Sequence, residues 1–303
     1  MGISEACYFP AAGALLMNYH RNHTRSLANG IHLSGVMVGS GLGGLGGWIA
    51  DLYDWTFVFE LFGLIGIVYA GVLFFLLRDR PAEQITPSPT GAPTETVNLI
   101  QALRSLFSRP AFIIALIFWG LLGLASWSFI GWLPAYLSEQ FGLSQGRAGL
   151  TAMGYIYGGS LVGMIVGGYW ADRWSRTHAR ARIWVGVIGV LLATPAILFA
   201  ANASVLTLVL VSLVIYGFGR PFPDANMVPI LCEIVDRRFL ATGVGVLNMF
   251  AVFVGGATIY AGGALRDANV GISTVFNCGA AGLVVCAVLL WFVREPAPKP
   301  ATP

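Results

Sequence analysis

Arg220 and Asp224 are two charged residues inside a long apolar stretch, residues 205–232. They lie four residues apart, so a helix would place them on one face and within pairing distance. Pro221 and Pro223 remove backbone N–H donors and would kink or unwind the helix beside them. If the stretch crosses a bilayer, its charges must face a cavity or each other, because a charge in lipid is expensive. Arg220 is therefore a candidate anchor for an anionic group, with Asp224 as counter-ion or proton carrier.

Two other interpretations of the pair stay open. It could be a self-satisfied ion pair that only fixes helix packing, or it could lie at the membrane interface already. Weaker candidates for the lining of a cavity are polar and aromatic residues of the other apolar stretches, each of which is more often a packing residue; they are Ser126, Trp127, Tyr155, Tyr157, Asn226 and Asn248. His32 is a candidate proton relay, although a histidine hydrogen-bonded to a neighbouring helix is the simpler interpretation.

The composition is that of a membrane protein. The chain is 56% hydrophobic and 10% charged, whereas about a quarter of the residues in a typical soluble domain are charged. The apolar residues form runs of bilayer-crossing length, which we place at 3–19, 30–50, 57–77, 111–137, 150–169, 183–201, 205–232, 241–265 and 272–293. The sequence therefore predicts an all-α protein with about nine transmembrane helices and the lipid bilayer as its surroundings.

Several function classes have no support in the sequence. Apart from Arg220, nearly all Arg and Lys residues sit in short loops and at the termini, so no nucleic-acid partner is predicted. The cysteines show no C-x-x-C spacing and no cluster of metal ligands is present, so we predict no metal, disulfide or cofactor. No nucleophile–base constellation indicates an enzyme. Residues 1–5 lack the basic start of a cleavable signal peptide.

The basic residues also predict the orientation. If successive loops alternate between the two sides of the membrane, one side holds 14 Arg and Lys residues and the other holds only 2, Arg147 and Arg266. The positive-inside rule makes the first side cytoplasmic. We therefore expect a cytoplasmic C-terminus, an outer N-terminus and a location in a bacterial-type inner membrane.

A basic loop between two of the apolar runs carries a motif. Gly168-x-x-x-Asp172-Arg173-x-x-Arg176 resembles the loop signature of major facilitator superfamily transporters, with Ser175 where that family usually has glycine. The resemblance implies that Asp172, Arg173 and Arg176 form a gating loop, in which the Asp pairs with charges and a helix N-terminus across the interface between the two halves of the fold. The alternative is that the arginines only set the topology.

The resemblance extends over almost the whole chain. Residues 132–137, Trp-Leu-Pro-Ala-Tyr-Leu, and the start of the chain are similar to the anion:cation symporter and sugar-phosphate permease branch. In that alignment the chain begins inside helix four and lacks helices one to three, which would follow from a truncated gene, a misassigned start codon or a reduced relative. The resemblance implies residues 1–78 as a remnant of the N-terminal half, 79–108 as a cytoplasmic linker, 109–294 as a complete C-terminal half and 295–303 as a disordered tail. Because this branch often carries a carboxylate in helix four, Glu5 is a candidate for proton coupling, together with Asp224.

Glycines form two stripes at four-residue spacing, which places each stripe on one helix face. Such a face lets a second helix approach closely. In the family, helices five and eight meet across the two halves, so we expect the two glycine faces to touch; they are Gly35, Gly39, Gly43 and Gly47, and Gly159, Gly163 and Gly167.

Together these features predict a secondary transporter that works by alternating access. The expected substrate is a small organic anion such as a sugar acid or carboxylate, and the expected driving force is a proton or cation gradient. The alternative is a permease-like sensor, or a truncated relic, that does not transport.

Overall fold

The computed structural model of the chain describes residue 8 and residues 11–13, 15–17, 19–20, 24–76 and 98–292. Glu5, most of the linker and the tail predicted from the sequence lie outside these residues. Within them the structure is helical and contains no strand, which confirms the all-α fold.

Ten helices follow one another along the described chain. They are α1 (Arg25–Leu52), α2 (Trp55–Leu76), α3 (Leu99–Phe107), α4 (Pro110–Phe141), α5 (Gln145–Trp174), α6 (Ala181–Asn202), α7 (Leu206–Gly219), α8 (Phe222–Ile234), α9 (Leu240–Asp267) and α10 (Ile272–Phe292), with a 3₁₀ turn at Arg237–Phe239. Residue 8 and most of the described residues between 11 and 19 are also helical.

Seven spans within the described residues are long and apolar enough to cross a membrane, and α7 and α8 together form one of them, Leu206–Ile234. These seven spans coincide with the last seven of the predicted apolar runs. The glycine-rich α1 covers the second run but is not among the seven, and the first run is only partly described. The total of nine crossings therefore stays a prediction.

Local sequence signals set several helix ends. Proline stands at the first position of α4, where its missing N–H costs no helical hydrogen bond. Gly142 ends the same helix with φ at 67°, a left-handed conformation that glycine adopts without strain. Asn98 caps α3 by accepting a hydrogen bond from the backbone N–H of Ile100 at 3.0 Å. The helix α3 buries Ala102 and Leu106 and lies against α4 and α9.

Helices α4 to α10 pack around one buried core. The contact of α4 with α9 uses large side chains set against glycines: Trp127 lies against Gly255, and Trp132 lies against Gly262. A methyl group at either glycine would overlap the tryptophan ring, so these positions require a residue without a side chain. In contrast, α2 has no buried residue and contacts mainly α1.

Helices α1 and α5, which hold the two glycine stripes, do pack against each other. The described glycines of the two stripes do not meet, however; the surroundings of Gly43 and Gly47 are not described. Gly159 and Gly163 lie against the backbone of α7, and Gly167 lies against Phe222 of α8. On α1, the space beside Gly35 and Gly39 is open.

The close contacts between α1 and α5 lie elsewhere, at Gly30 against the carbonyl of Met164 and at Gly168 against the carbonyl of Ser26. A step of four residues overshoots a helical turn by about 40°, so a stripe of glycines winds around its helix. The glycine spacing therefore marked a face of close approach on α5 but not at Gly35 and Gly39 of α1, and it could not say which neighbour the face of α5 would meet.

Candidate functional site

The long span that carries Arg220 and Asp224 is broken into two helices at those residues. α7 ends at Gly219 and α8 begins at Phe222, so Arg220 and Pro221 form the break. Prolines at 221 and 223 cannot donate the hydrogen bonds that would make one continuous helix. Arg220 forms an ion pair with Asp224 across the break. The break predicted from the sequence is therefore present, and the charged pair lies at it.

Arg220 also reaches a second helix. Its Nε donates a hydrogen bond of 2.6 Å to Oγ of Ser126 on α4. The side chains of Arg220 and Asp224 keep 19% and 24% of their surface exposed, so neither is sealed in the packed core.

A cavity of about 190 Å³ borders this pair. Its walls come from α1, α4, α5, α7, α8 and the break between the last two; they are Met37, Ser126, Trp127, Ile130, Ile156, Tyr157, Ser160, Tyr216, Arg220, Pro221 and Asp224. The volume lies below the range of about 300–1,000 Å³ typical of sites for drug-sized ligands. The charged pair therefore borders a partly open cavity of a size suited to a small solute.

Tyr216 adds an unused polar group to the wall of this cavity. The residue is 1% exposed, and its hydroxyl makes no well-formed hydrogen bond within the described residues. Buried polar groups are nearly always hydrogen-bonded. This hydroxyl therefore lies beside Arg220 and Ser126 in the wall of the cavity.

Three of the other residues predicted to bind substrate lie away from this cavity. Tyr155 borders a groove on the outer surface of α5 and α7. Asn226 is fully buried and donates to the carbonyl of Phe222, one turn back in its own helix. Asn248 is half-buried on α9 and does not line the cavity. Residues 155 and 157 are about 200° apart around a helix, so only one tyrosine of the pair can face inward, and it is Tyr157.

A second charged cluster lies at the start of α1, around Asp172 of the loop motif. The Asp172 carboxylate accepts hydrogen bonds from the backbone N–H groups of Ser26 at 3.2 Å and Leu27 at 2.7 Å. These are unpaired donors at a helix N-terminus, where the helix dipole also favours a negative charge. Asp172 is 3% exposed. The motif carboxylate therefore bonds to a helix N-terminus distant in sequence, as the family resemblance implies.

Arg182 ties this cluster together. Its guanidinium pairs with Asp172 at 3.2 Å and with Glu233 at 2.5 Å, and its Nε donates to Oγ of Ser26 at 3.0 Å. We call Ser26, Leu27, Asp172, Arg182 and Glu233 the interhelix clamp. It joins α1, α5, α6 and α8.

Arg173 and Arg176, the other two residues of the predicted gating loop, are not part of the clamp. Both are exposed and lie in a shallow surface groove with Trp170 and Trp174. Arg182 and Glu233 were not among the residues predicted from the sequence, because Arg182 lies 156 positions from Ser26 and 51 from Glu233. The only available signal was a charged residue at each of two helix ends.

Two further polar contacts lie outside the cavity and the interhelix clamp. The Tyr8 hydroxyl lies 3.4 Å from Nε2 of His32, which matches the simpler interpretation of that histidine. In the turn after α8, a hydrogen bond from Arg238 holds the pKa of Asp236 below its ordinary value of 3.8. Among the described residues, no group of three or more His, Cys, Asp or Glu side chains is placed to hold a metal ion.

Comparison with known proteins supports the same fold and family. Residues 1–259 match the Major Facilitator Superfamily. The chain is 26% identical to the hexuronate transporter of Bacillus subtilis over 99% of its own length and 72% of that protein. It is 27% identical to the D-galactonate transporter of Escherichia coli, over 85% of this chain and 64% of that one.

Among solved structures, the fucose:proton symporter of Escherichia coli superimposes with a TM-score of 0.74 at 14% identity, over 96% of this chain and 74% of that chain. A bacterial homologue of the lysosomal transporter Spinster, in an inward-facing conformation, gives 0.51 at 20% identity, over 93% and 72%. These likenesses concern the fold. With the family match over most of its length, the chain is an integral membrane protein that belongs to the Major Facilitator Superfamily.

Proposed function

We propose that this protein carries a small organic anion across the membrane by alternating access. The observation that carries the proposal is the Arg220–Asp224 pair, which faces a cavity walled by α1 on one side and by helices of the α4–α10 bundle on the other. A buried guanidinium is suited to a carboxylate because it offers several N–H donors in a fixed fork. Relatives of the chain are named as transporters of hexuronate and D-galactonate, both sugar acids.

The interhelix clamp supplies the gate in this proposal. It holds α1 against α5, α6 and α8 on one side of the cavity. Transport requires these helices to separate, which means that the N–H groups of Ser26 and Leu27 must leave the Asp172 carboxylate. The excess of basic residues, 14 against 2, supports a cytoplasmic location for this end by the positive-inside rule. The C-terminus is then cytoplasmic, and the membrane is a bacterial-type inner membrane.

Asp224 is the proposed proton carrier. When a substrate anion binds Arg220, it competes with Asp224 for the guanidinium. A carboxylate that loses its counter-ion in a site of low dielectric binds a proton more readily, because burial disfavours its charged form. Binding of the anion and uptake of a proton are thereby linked. Glu5, the other candidate, lies outside the described residues.

The division of the chain follows from the same scheme. Residues 1–78 form one wall of the pathway, residues 109–294 form the other, and residues 79–108 link them. The chain spans 72%, 64% and 61% of the lengths of three related transporters.

The test is uptake of a panel of labelled sugar acids and carboxylates into proteoliposomes with an imposed proton gradient. We expect Arg220→Ala to reduce uptake by about 100-fold or more, since it removes the group that binds the anion. Asp224→Asn should keep anion exchange but lose accumulation driven by the gradient. Arg266→Ala is the control, because Arg266 pairs with Glu139 at exposed positions distant from the cavity.

Uptake by Arg220→Ala and Asp224→Asn at the level of the parent would show that the site is wrong. If the parent protein binds anions without any uptake, the transport proposal fails and the sensor alternative is favoured.

A further inference from the structure

Asn29 of α1 makes a contact that neither the charged pair nor the clamp explains. Its side chain is buried, at 2% exposure. Its Nδ2 donates hydrogen bonds to two backbone carbonyls of α8, those of Asp224 at 3.1 Å and Ala225 at 3.0 Å. One side-chain amide of α1 therefore holds the backbone of the helix that carries the cavity carboxylate.

The carbonyl of Ala225 needs this donor. In a regular helix it would accept from the N–H four residues later, but that residue is Pro229, which has no N–H. An unsatisfied backbone carbonyl in a dry interior is costly. Asn29 supplies the hydrogen bond that the proline removes, and it does so from a different helix.

Asn29 also lies one turn from the clamp. Ser26, Asn29, Gly30 and Leu33 follow the spacing i, i+3, i+4, i+7 and so share one face of α1. On this face Leu33 packs with Met164 and Ala225 in a small buried cluster. The same face thus contacts the loop motif at its start and the backbone of α8 about one turn later.

We propose that Asn29 is a positioning residue that couples the two sites: its amide locks the backbone at Asp224 and Ala225 while the clamp is closed and releases it when α1 moves away. This inference rests on the proposed alternating access. When α1 separates from α8, the carbonyl of Ala225 loses its donor, and the segment that bears Asp224 is free to shift. Opening of the gate and the position of the cavity carboxylate are then linked through one side chain.

The test measures how often α1 separates from its neighbours and needs neither a substrate nor transport. The full chain carries a Leu33→Cys reporter, with the native cysteines replaced by alanine, and it is reacted with N-ethylmaleimide in proteoliposomes. Leu33 is 5% exposed, so labelling reports opening. We expect Asn29→Leu and Asn29→Asp each to raise the labelling rate by about tenfold, since both remove the two hydrogen bonds. Asn29→Gln keeps a side-chain amide, so it should raise the labelling rate less than Asn29→Leu does.

Ser34→Ala is the matched control. Ser34 is buried in the same helix, but its hydroxyl donates only to the carbonyl of Gly30 within α1. An equal rise in Ser34→Ala would show general loosening of α1 and would overturn the proposal, as would no rise in either Asn29 variant.

Pro229→Ala tests directly whether Asn29 replaces the hydrogen bond that the proline removes. Pro229→Ala gives the carbonyl of Ala225 a helical donor, so the effect of Asn29→Leu should fall to about threefold in that background. An unchanged tenfold effect would overturn the assigned role.

Coupling to the cavity is tested by combining Asn29→Leu with Asp224→Asn, whose effects on labelling should be less than multiplicative. Strictly independent effects would refute the coupling, whereas failure of the transport proposal would appear only in the uptake assay.

Discussion

The cavity pair and the interhelix clamp both consist of an arginine and an aspartate, but they differ in how the chain brings them together. Arg220 and Asp224 are four residues apart on one broken span, face a cavity and keep about a fifth of their side-chain surface exposed. Asp172 and Arg182 lie on different helices, their side chains are only 5% and 6% exposed, and they bind the N-terminus of α1, which lies far away in the sequence.

The comparison separates two uses of the same ion pair. A pair within one span can lose its partner to a ligand without separating helices, which suits a binding site. A pair that crosses several helices can break only if those helices move, which suits a gate. We therefore expect changes in the clamp to affect stability and conformation first, and changes in the cavity to affect substrate binding first.

The largest expected effect on stability is at Arg182. Arg182→Ala leaves the carboxylate of Asp172 buried and without its cation, and loss of one partner of a buried pair costs about 3–5 kcal/mol. Thermal unfolding of the purified protein in detergent measures this loss. The exposed Arg176 of the same loop is the control, and Arg176→Ala should unfold at the same temperature as the parent protein. Equal stability of Arg182→Ala and the parent would remove the distinction between the clamp and the cavity pair.

A smaller effect is expected at Ser126, which orients Arg220. Ser126→Ala removes the hydroxyl that accepts from Nε of Arg220, and we expect the KM for the transported anion to rise about fivefold, the equivalent of one hydrogen bond. Ser128 on the same helix is buried too, but its hydroxyl donates to the carbonyl of Ala125. Ser128→Ala should therefore leave KM unchanged, and a similar rise in both variants would contradict the assigned geometry.

The smallest effect is expected at Asp236, whose pair with Arg238 is local like the cavity pair but lies outside the membrane-spanning segments. Its pKa is lower in the folded protein than its ordinary value of 3.8, mainly because Arg238 donates hydrogen bonds to it. The stabilisation is therefore present above that ordinary value and is lost as the pH falls through the lower folded value.

Unfolding temperatures of Asp236→Asn and the parent, taken at pH 7 and pH 3, measure this contribution. The difference between the two proteins should be small at pH 7, because the pair is partly exposed and is screened by solvent, and smaller still at pH 3. A difference in unfolding temperature that grows as the pH falls would contradict the lowered pKa of Asp236 in the folded protein.

Several features could be predicted from the sequence for a clear reason. The membrane spans depend on the length and apolar character of each stretch, and these are properties of the sequence itself. The break at Arg220 and Pro221 depends on missing backbone donors, and the Arg220–Asp224 pair depends on helical spacing. The contact of Asp172 with a helix N-terminus was implied by the family resemblance, and the structure contains this contact.

Other features required the folded structure. Arg182 and Glu233 join the clamp across 51 positions of the sequence, and no local pattern marks such a pair. The glycine stripes could be recognised in the sequence, but their surroundings could not be predicted, because spacing defines a helix face and not the residues that pack on it. Tyr155, Asn226 and Asn248 had suitable side chains but lie away from the cavity.

The amino-acid sequence alone thus determined that this chain crosses a membrane as a series of helices and that one of them breaks at a charged pair, since both follow from the local chemistry of side chains and backbone. Only the tertiary structure decided which helices enclose that pair and which groups hold α1 against α5, α6 and α8. Such contacts join residues that are distant in sequence, and they depend on how each helix is rotated and how closely its neighbours approach.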